Sequence, residues 1–347
     1  MNINKRVLSL LLCLLTVLPL CGCSTEPVQR TVFSMDTVMT LTAYGRNADK
    51  GLDMAEKVIQ SMNSSLDPKS ESSITYQINH AEGENIIVQP LVAKMLLTAL
   101  EVHDRSGGAL DLSVYPLYLA WGEFKEDTAR IPGNEELSKL RKLMRFGDMN
   151  VTSFTGEANY SLWLPAGTQI SFGSVAKGCA AQYAIDVMRD SGVKSGIVSL
   201  GGNVQTLGLK PDGSNWTVAV EDPRNTGNYL GTLSLGEAAV VTSGSYQRYF
   251  TDNNGQKYHH IIDPGTGKPV ENNLLSVTVV CSDGTLADCL STAMFVLGEK
   301  AAMEYWREYG GFDMIMVTEG GKVICTTGLI EVFTLTNTDK YTVSFTE

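Results

Sequence analysis

The segment Ala287-Asp288-Cys289-Leu290-Ser291-Thr292-Ala293-Met294-Phe295 is written for a buried helix, yet three of its residues are polar. Asp288, Ser291 and Thr292 stand at i, i+3 and i+4 and therefore share one helical face. Burying a carboxylate and two hydroxyls without partners is costly. Whatever the chain folds into must bring a polar counterpart to that face. A hard divalent cation, which takes carboxylate and hydroxyl oxygens, would serve. The alternative is an acid near a helix N-terminus, with Ser291 and Thr292 back-bonding to carbonyls.

The surrounding pattern is mixed. Strands are predicted at Thr31 to Tyr44, Ile197 to Leu200, Trp216 to Glu221, Tyr229 to Leu235, Ala238 to Thr242 and Leu274 to Cys281. Further strands are predicted at Tyr246 to Phe250 and Lys257 to Ile262, around an Asp-Asn-Asn-Gly turn, and near Met314, Val323 and Val332. Val151 to Leu164 reads as a hairpin broken at Thr155-Gly156-Glu157. Helical periodicity covers Ala48 to Met62, Leu91 to Val102, Asn134 to Arg145, Ser174 to Ser191, Thr285 to Leu297 and Ala301 to Tyr309. Frequent hairpins without a regular βαβ rhythm give an α+β class, with mixed or antiparallel sheets and packed helices.

The first residues give an address. Lys5 and Arg6 precede an apolar run from Val7 to Leu20, then Leu20-Cys21-Gly22-Cys23. This is a secretory signal, too short for a comfortable membrane span. Its end resembles a bacterial lipobox, which implies cleavage before Cys23, lipidation of that thiol and attachment to a membrane outside the cytoplasm. The expected division is a signal at 1–22, a lipidated tether at 23–30 and one domain at 31–347. Without residues 1–22 the chain keeps 25 basic against 38 acidic side chains, a net charge of −13. That surface argues against nucleic acid as a partner. Cys179, Cys281, Cys289 and Cys325 lack CxxC spacing, so zinc is not indicated. They read as buried thiols, a Cys281–Cys289 bridge being the other option for an exported chain.

Three more segments hold chemistry. In Phe172-Gly173-Ser174-Val175-Ala176-Lys177-Gly178 a lysine sits in the first turn of a predicted helix. Helix N-terminal amides attract phosphate, and a lysine there wants an anion; otherwise Lys177 is a solvated side chain. In Tyr258-His259-His260-Ile261-Ile262-Asp263-Pro264-Gly265 adjacent histidines on a strand point to opposite faces, so one faces a site and the other solvent. Imidazole as a general base or polar ligand contact suits that position. Gly108-Ala109-Leu110-Asp111-Leu112 sets a carboxylate in an apolar segment, either placed for a ligand or a simple turn acid.

Taken together and in this order, the segments resemble the ApbE family, the bacterial FAD:protein FMN transferases. The resemblance is carried by Ser34-Met35-Asp36-Thr37, by residues 108–122 and 172–186, by Val198 to Val204, by 240–250 and 259–270, and by 287–298. It spans the chain from about Thr31. It implies a T-fold-like α+β flavin transferase fold with FAD as substrate in a cleft and Mg²⁺ on its diphosphate. Asp288 and Thr292 would be metal ligands with Ser291 beside them, and Ser174 would add a backbone oxygen. Met35, Ala109, Leu110, Asp111, Ser171, Lys177 and Ile262 would line the FAD site. Residues 242–244 would form another wall, and Ser171 stands where the family often has aspartate. His260 matches the family histidine and would be catalytic, leaving His259 to solvent. The implied reaction is attack by a Ser/Thr hydroxyl of a partner protein on the FMN-side phosphorus, releasing AMP. The implied acceptors are flavoprotein subunits of membrane or exported redox systems. Two rivals remain at this level: an FAD pyrophosphatase giving FMN and AMP, and a flavin-binding lipoprotein without chemistry.

Overall fold

A computed structural model describes residues 26–153, 158–336 and 338–347. The signal segment, Cys23 and the broken tip of the 151–164 hairpin lie outside the described residues. Nine strands form one sheet: β1 (Pro27–Ser34), β2 (Thr37–Tyr44), β3 (Gly196–Leu200), β4 (Asn203–Leu207), β5 (Ala239–Gly244), β6 (Leu274–Cys281), β7 (Asp313–Thr318), β8 (Lys322–Thr326) and β9 (Thr342–Thr346). Their spatial order is their chain order. Each neighbouring pair is antiparallel except β8–β9, which is parallel. The first strand begins at Pro27 rather than Thr31, so residues 27–30 belong to the sheet and not to a tether.

Of four long helices, α1 (Ala48–Leu66), α3 (Ala176–Asp190) and α4 (Gly284–Tyr309) pack on this sheet, and α2 (Pro90–Arg105) packs against α4. The predicted break between Leu297 and Ala301 is a kink within α4, where Gly298 takes φ 74°. The side-chain period of two sorts the central strands onto two faces. Val241, Val277, Val279, Met314, Met316 and Ile324 join the helices in the main core. Their neighbours Val240, Val280, Ile315, Val317, Val323 and Cys325 pack on a second, three-stranded sheet of residues Trp216–Glu221, Tyr229–Leu235 and Phe333–Leu335. Strands buried on both faces read as near-continuous apolar runs, as Leu274 to Cys281 does.

A smaller cluster of Leu117, Trp121, Phe124, Leu137, Phe250 and Ile262 caps one end. Trp121 Nε1 donates to the Gly267 carbonyl at 2.9 Å, tying the turn after Asp263 to the residues after Asp111. Cys179, Cys281, Cys289 and Cys325 are all free thiols.

Candidate functional site

The site lies at the end of the sheet where the β1–β2 and β3–β4 turns and the last residues of β5 come together. Both turns have two residues, Met35-Asp36 and Gly201-Gly202. All four residues have positive φ, which suits glycine and strains methionine and aspartate. Asn63 Oδ1 accepts from the Met35 amide at 2.9 Å and helps to hold that turn. Glycine at 201 is required by contact as well, since a Cβ there would meet Thr37 Cγ2 at 2.7 Å. Among the described residues five non-glycines have positive φ, and Asp36, Glu123 and Phe124 all line one open cleft of about 360 Å³ with Lys125, Gln247, Arg248 and Tyr249. Strain gathered at one cleft is a mark of a working surface.

Behind these turns α3 and α4 meet. The N-terminus of α3 has no side-chain cap of its own. Asp288, on the second turn of α4 and 4% exposed, supplies one: its Oδ2 accepts from the Gly178 amide at 2.8 Å. That amide is one of the donors a helix leaves unpaired in its first turn, and the dipole favours a carboxylate there. The approach needs glycine, because a Cβ on Gly178 would stand 2.6 Å from Asp288 Cβ and closer still to the Gly284 carbonyl. Asp283 caps α4 itself, accepting from the Thr285 and Leu286 amides at 2.8 and 3.1 Å. Against the cost of burial, these amides and the Lys94 ammonium hold the Asp283 carboxyl below its usual range.

The three polar residues of the α4 segment are thus brought together, but not all in one role. Ser291 is fully buried; its hydroxyl donates to the Asp288 carbonyl at 3.0 Å and lies 2.8 Å from Ser243 Oγ. Thr292 is half-buried, with Oγ1 3.2 Å from Ser243 Oγ. Asp288 has no cationic partner among the described residues, and no group of three or more His, Cys, Asp or Glu gathers around it. A nearly buried carboxylate flanked by hydroxyls is still a donor set that fits a hard oxygen-seeking cation completed by backbone and substrate oxygens.

The two histidines are arranged differently from expectation. His259 does not face solvent: it is half-buried, edge-on to Phe295 with centroids 5.7 Å apart. Its Nε2 meets the Val270 carbonyl at 3.0 Å, and its Nδ1 accepts from the Ile261 amide at 3.3 Å. Desolvation pushes its pKa down. His260 Nδ1 lies 3.2 Å from the Arg248 carbonyl, which can only accept, so Nδ1 carries the proton and Nε2 keeps its lone pair. Desolvation, with the positive charges of Arg248 and Lys177 nearby, pushes His260 down to about 3. Lys177 is half-buried and makes no ion pair among the described residues.

The Gly108–Leu112 segment adjoins this region through the Ser171 amide, which donates to the Leu112 carbonyl at 3.0 Å. Asp111 accepts from the Ser113 amide at 2.7 Å and the Ser113 hydroxyl at 2.5 Å, and faces His103 at 3.9 Å. Burial raises its pKa, and the Ser113 bonds and His103 oppose the rise.

A model of the ApbE family matches residues 35–316. The chain belongs to the ApbE family. The FAD:protein FMN transferase of Treponema pallidum is 27% identical over 342 residues, covering 93% of this chain and 94% of that protein. That of Escherichia coli K12 is also 27% identical, covering 83% of each. Among solved structures, the ApbE protein of Thermotoga maritima superposes with a TM-score of 0.78 at 26% identity, over 91% of this chain and 98% of that one. The apo flavinyl transferase ApbE of Pseudomonas stutzeri gives 0.74 at 27%, over 90% and 94%. The α+β fold expected from the sequence is the ApbE fold.

Within this ApbE fold the remaining expected residues fall as follows. Met35 is half-buried on its strained turn, while Ala109 and Asp111 border buried Leu110. Ser174 and Lys177 flank the start of α3. Ile262 is buried in the Trp121 cluster, 5% exposed. Ser171 Oγ accepts from the Gly173 amide at 3.3 Å and so braces this turn. Sequence reasoning missed Asn79, whose amide clamps Ile170 with bonds of 2.9 and 2.7 Å just before that turn. It also gave no separate role to Gly178, although a glycine inside a predicted helix is a signal of close packing.

Proposed function

We propose that this chain transfers the FMN moiety of FAD to a Ser/Thr hydroxyl of a partner protein, forming a phosphoester and releasing AMP. Membership of a family whose compared members are named FAD:protein FMN transferases over nearly their whole length supports the reaction class. The observation that carries the mechanism is the meeting of Asp288 with the N-terminus of α3, a buried carboxylate beside helix amides and Lys177.

Asp288 and Thr292, with the Ser174 carbonyl and Ser291 beside them, would hold Mg²⁺, which when bound neutralises charge on the diphosphate and on the departing AMP. The chain's own groups act around it. Lys177 and the positive end of the α3 dipole attract the diphosphate. Met35, Ala109, Leu110, Asp111, Ser171 and Ile262 would shape the flavin nucleotide cleft. His260 presents an unprotonated Nε2 that accepts the proton of the attacking hydroxyl as its oxygen bonds to the FMN-side phosphorus and the phosphorus–oxygen bond to AMP breaks. Desolvation, and after it the charges of Arg248 and Lys177, disfavour imidazolium in the free protein; the negative charge of FAD would offset those two charges and raise its basicity.

Export and lipid attachment at Cys23 fit the basic start, the short apolar run and the Leu20 to Cys23 sequence. No helix among the described residues is long and apolar enough to cross a membrane. With β1 starting at Pro27, a lipidated Cys23 would leave the sheet within roughly 15 Å of its anchor. Confinement there would favour acceptor subunits at the same membrane.

The test of the mechanism is His260→Ala, assayed for acceptor-dependent AMP release and for FAD affinity by fluorescence quenching. Loss of turnover by 10²-fold or more with FAD affinity within about threefold supports a proton-transfer role. Equal losses in both would make His260 a binding residue.

A further inference from the structure

We infer that Ser243 is a positioning residue that turns the Thr292 hydroxyl into a cation ligand. The inference rests on the proposed cation site and concerns a residue outside its ligand set. The three hydroxyls form a chain whose direction is fixed at one end. The Asp288 carbonyl can only accept, so Ser291 gives it its proton at 3.0 Å. Ser291 must then accept from Ser243 across 2.8 Å. Having spent its proton, Ser243 must accept from Thr292 across 3.2 Å. The Thr292 proton is thereby drawn toward Ser243, and its lone pairs are left for a cation. A backbone carbonyl of α4 therefore sets, through two serines, which way a threonine on the same helix presents its oxygen.

Two features support this direction over the reverse. Ser291 is fully buried, and with its proton on the Asp288 carbonyl its donor is satisfied inside α4, which keeps its lone pairs for the Ser243 hydroxyl. Ser243 also comes from a different element: it lies on β5, which pairs with β4 and β6, so the sheet fixes its position independently of α4. Without Ser243, Thr292 is free to donate back to the carbonyl four residues earlier, the habit of threonine within helices, and its oxygen turns away.

The experiment titrates full-length protein with Mn²⁺ alone, followed by the electron paramagnetic resonance of the free ion, in wild type, Ser243→Ala, Ser243→Thr, Thr292→Ala, the Ser243→Ala/Thr292→Ala double variant and Asp288→Asn. Outer hydrogen-bond partners of metal ligands are worth 10- to 100-fold in affinity. Ser243→Ala is expected to weaken Mn²⁺ binding by about 10-fold or more, and Ser243→Thr to restore it to within about threefold. The double variant is expected to bind no more weakly than Thr292→Ala, because Ser243 acts through Thr292. A Ser243→Ala protein that binds as wild type while Thr292→Ala is weakened would overturn the inference. Additive losses in the double variant would also overturn it, since Ser243 would then act by another route. Wild-type binding in Asp288→Asn and Thr292→Ala together would remove the cation site itself, and the inference with it.

Discussion

Replacing Gly178 by alanine tests the contact on which the site depends. The new Cβ would stand 2.6 Å from Asp288 Cβ and closer still to the Gly284 carbonyl, whereas ordinary contact begins near 3.4 Å, so α3 and α4 must separate locally by at least about 0.8 Å. The same movement stretches the 2.8 Å bond from the Gly178 amide to Asp288 to about 3.6 Å or more, outside hydrogen-bond range. Overpacking costs about 1–3 kcal/mol, and a lost bond to a charged group about 1.5–3. Alanine's better helix propensity returns about 1 kcal/mol. The net expectation is a destabilisation of about 1.5–5 kcal/mol, read as a shift in the urea midpoint at unchanged slope. Divalent-cation affinity should fall with it, because the carboxylate is displaced. Gly51→Ala, where the nearest atom is a Val193 methyl on a loop distant from Asp288, should destabilise without affecting the cation. A Gly178→Ala protein with wild-type midpoint and wild-type Mn²⁺ affinity would refute the argument that this helix contact builds the site.

Acidification should destabilise the protein, as His259 and His260 have depressed native pKa values. Their contribution is complete above the unfolded value near 6.5 and is lost as pH falls toward the native one. Asp111, raised by burial, acts in the opposite sense, so the diagnostic is a flatter melting-temperature profile between pH 7 and 4 in His260→Gln, and an unchanged slope would contradict it. Burial pushes Cys179 and Cys325 up to about 12 and Cys281 up to about 11, and Cys289 well above the ordinary range. All four should resist iodoacetamide at pH 8 until urea is added; rapid labelling of any in the native protein would contradict the packing. Trp121→Ala should cost about 3–5 kcal/mol by the loss of a fully packed ring, measured by urea unfolding. A loss below 1 kcal/mol would show that the cap around Ile262 is loosely held.

Much of this fold was legible because the central strands are buried on both faces and the hairpins carry strong turn residues. The strands at Trp216–Glu221, Tyr229–Leu235 and Leu274–Cys281 match expectation residue for residue. The strand at Thr342–Thr346 was not anticipated: it is a mostly exposed edge strand, so it lacks a clean apolar alternation. The single nine-stranded sheet was also hidden, because most of its neighbours are joined through long excursions rather than tight turns. In the site, the polar face of α4 was visible from helical spacing alone. The placement of the two histidines was not, since strand alternation predicts one buried and one exposed, whereas His259 ends its strand and both rings are half-buried. Nor could the hydroxyl chain be read, because Ser243 lies on another element and meets Thr292 only through tertiary packing.

The most direct measurement is intact mass of a candidate acceptor domain after incubation with this protein, FAD and Mg²⁺, beside Asp288→Ala and a chelator control. The account predicts a mass increase on the acceptor corresponding to phosphoester-linked FMN, with AMP released in equal amount. It predicts that both disappear without Mg²⁺ or without Asp288. Free FMN and AMP from FAD, with each of several Ser/Thr-bearing acceptor domains unmodified, would contradict the transferase and leave a hydrolase; bound FAD without turnover would leave a flavin-binding protein.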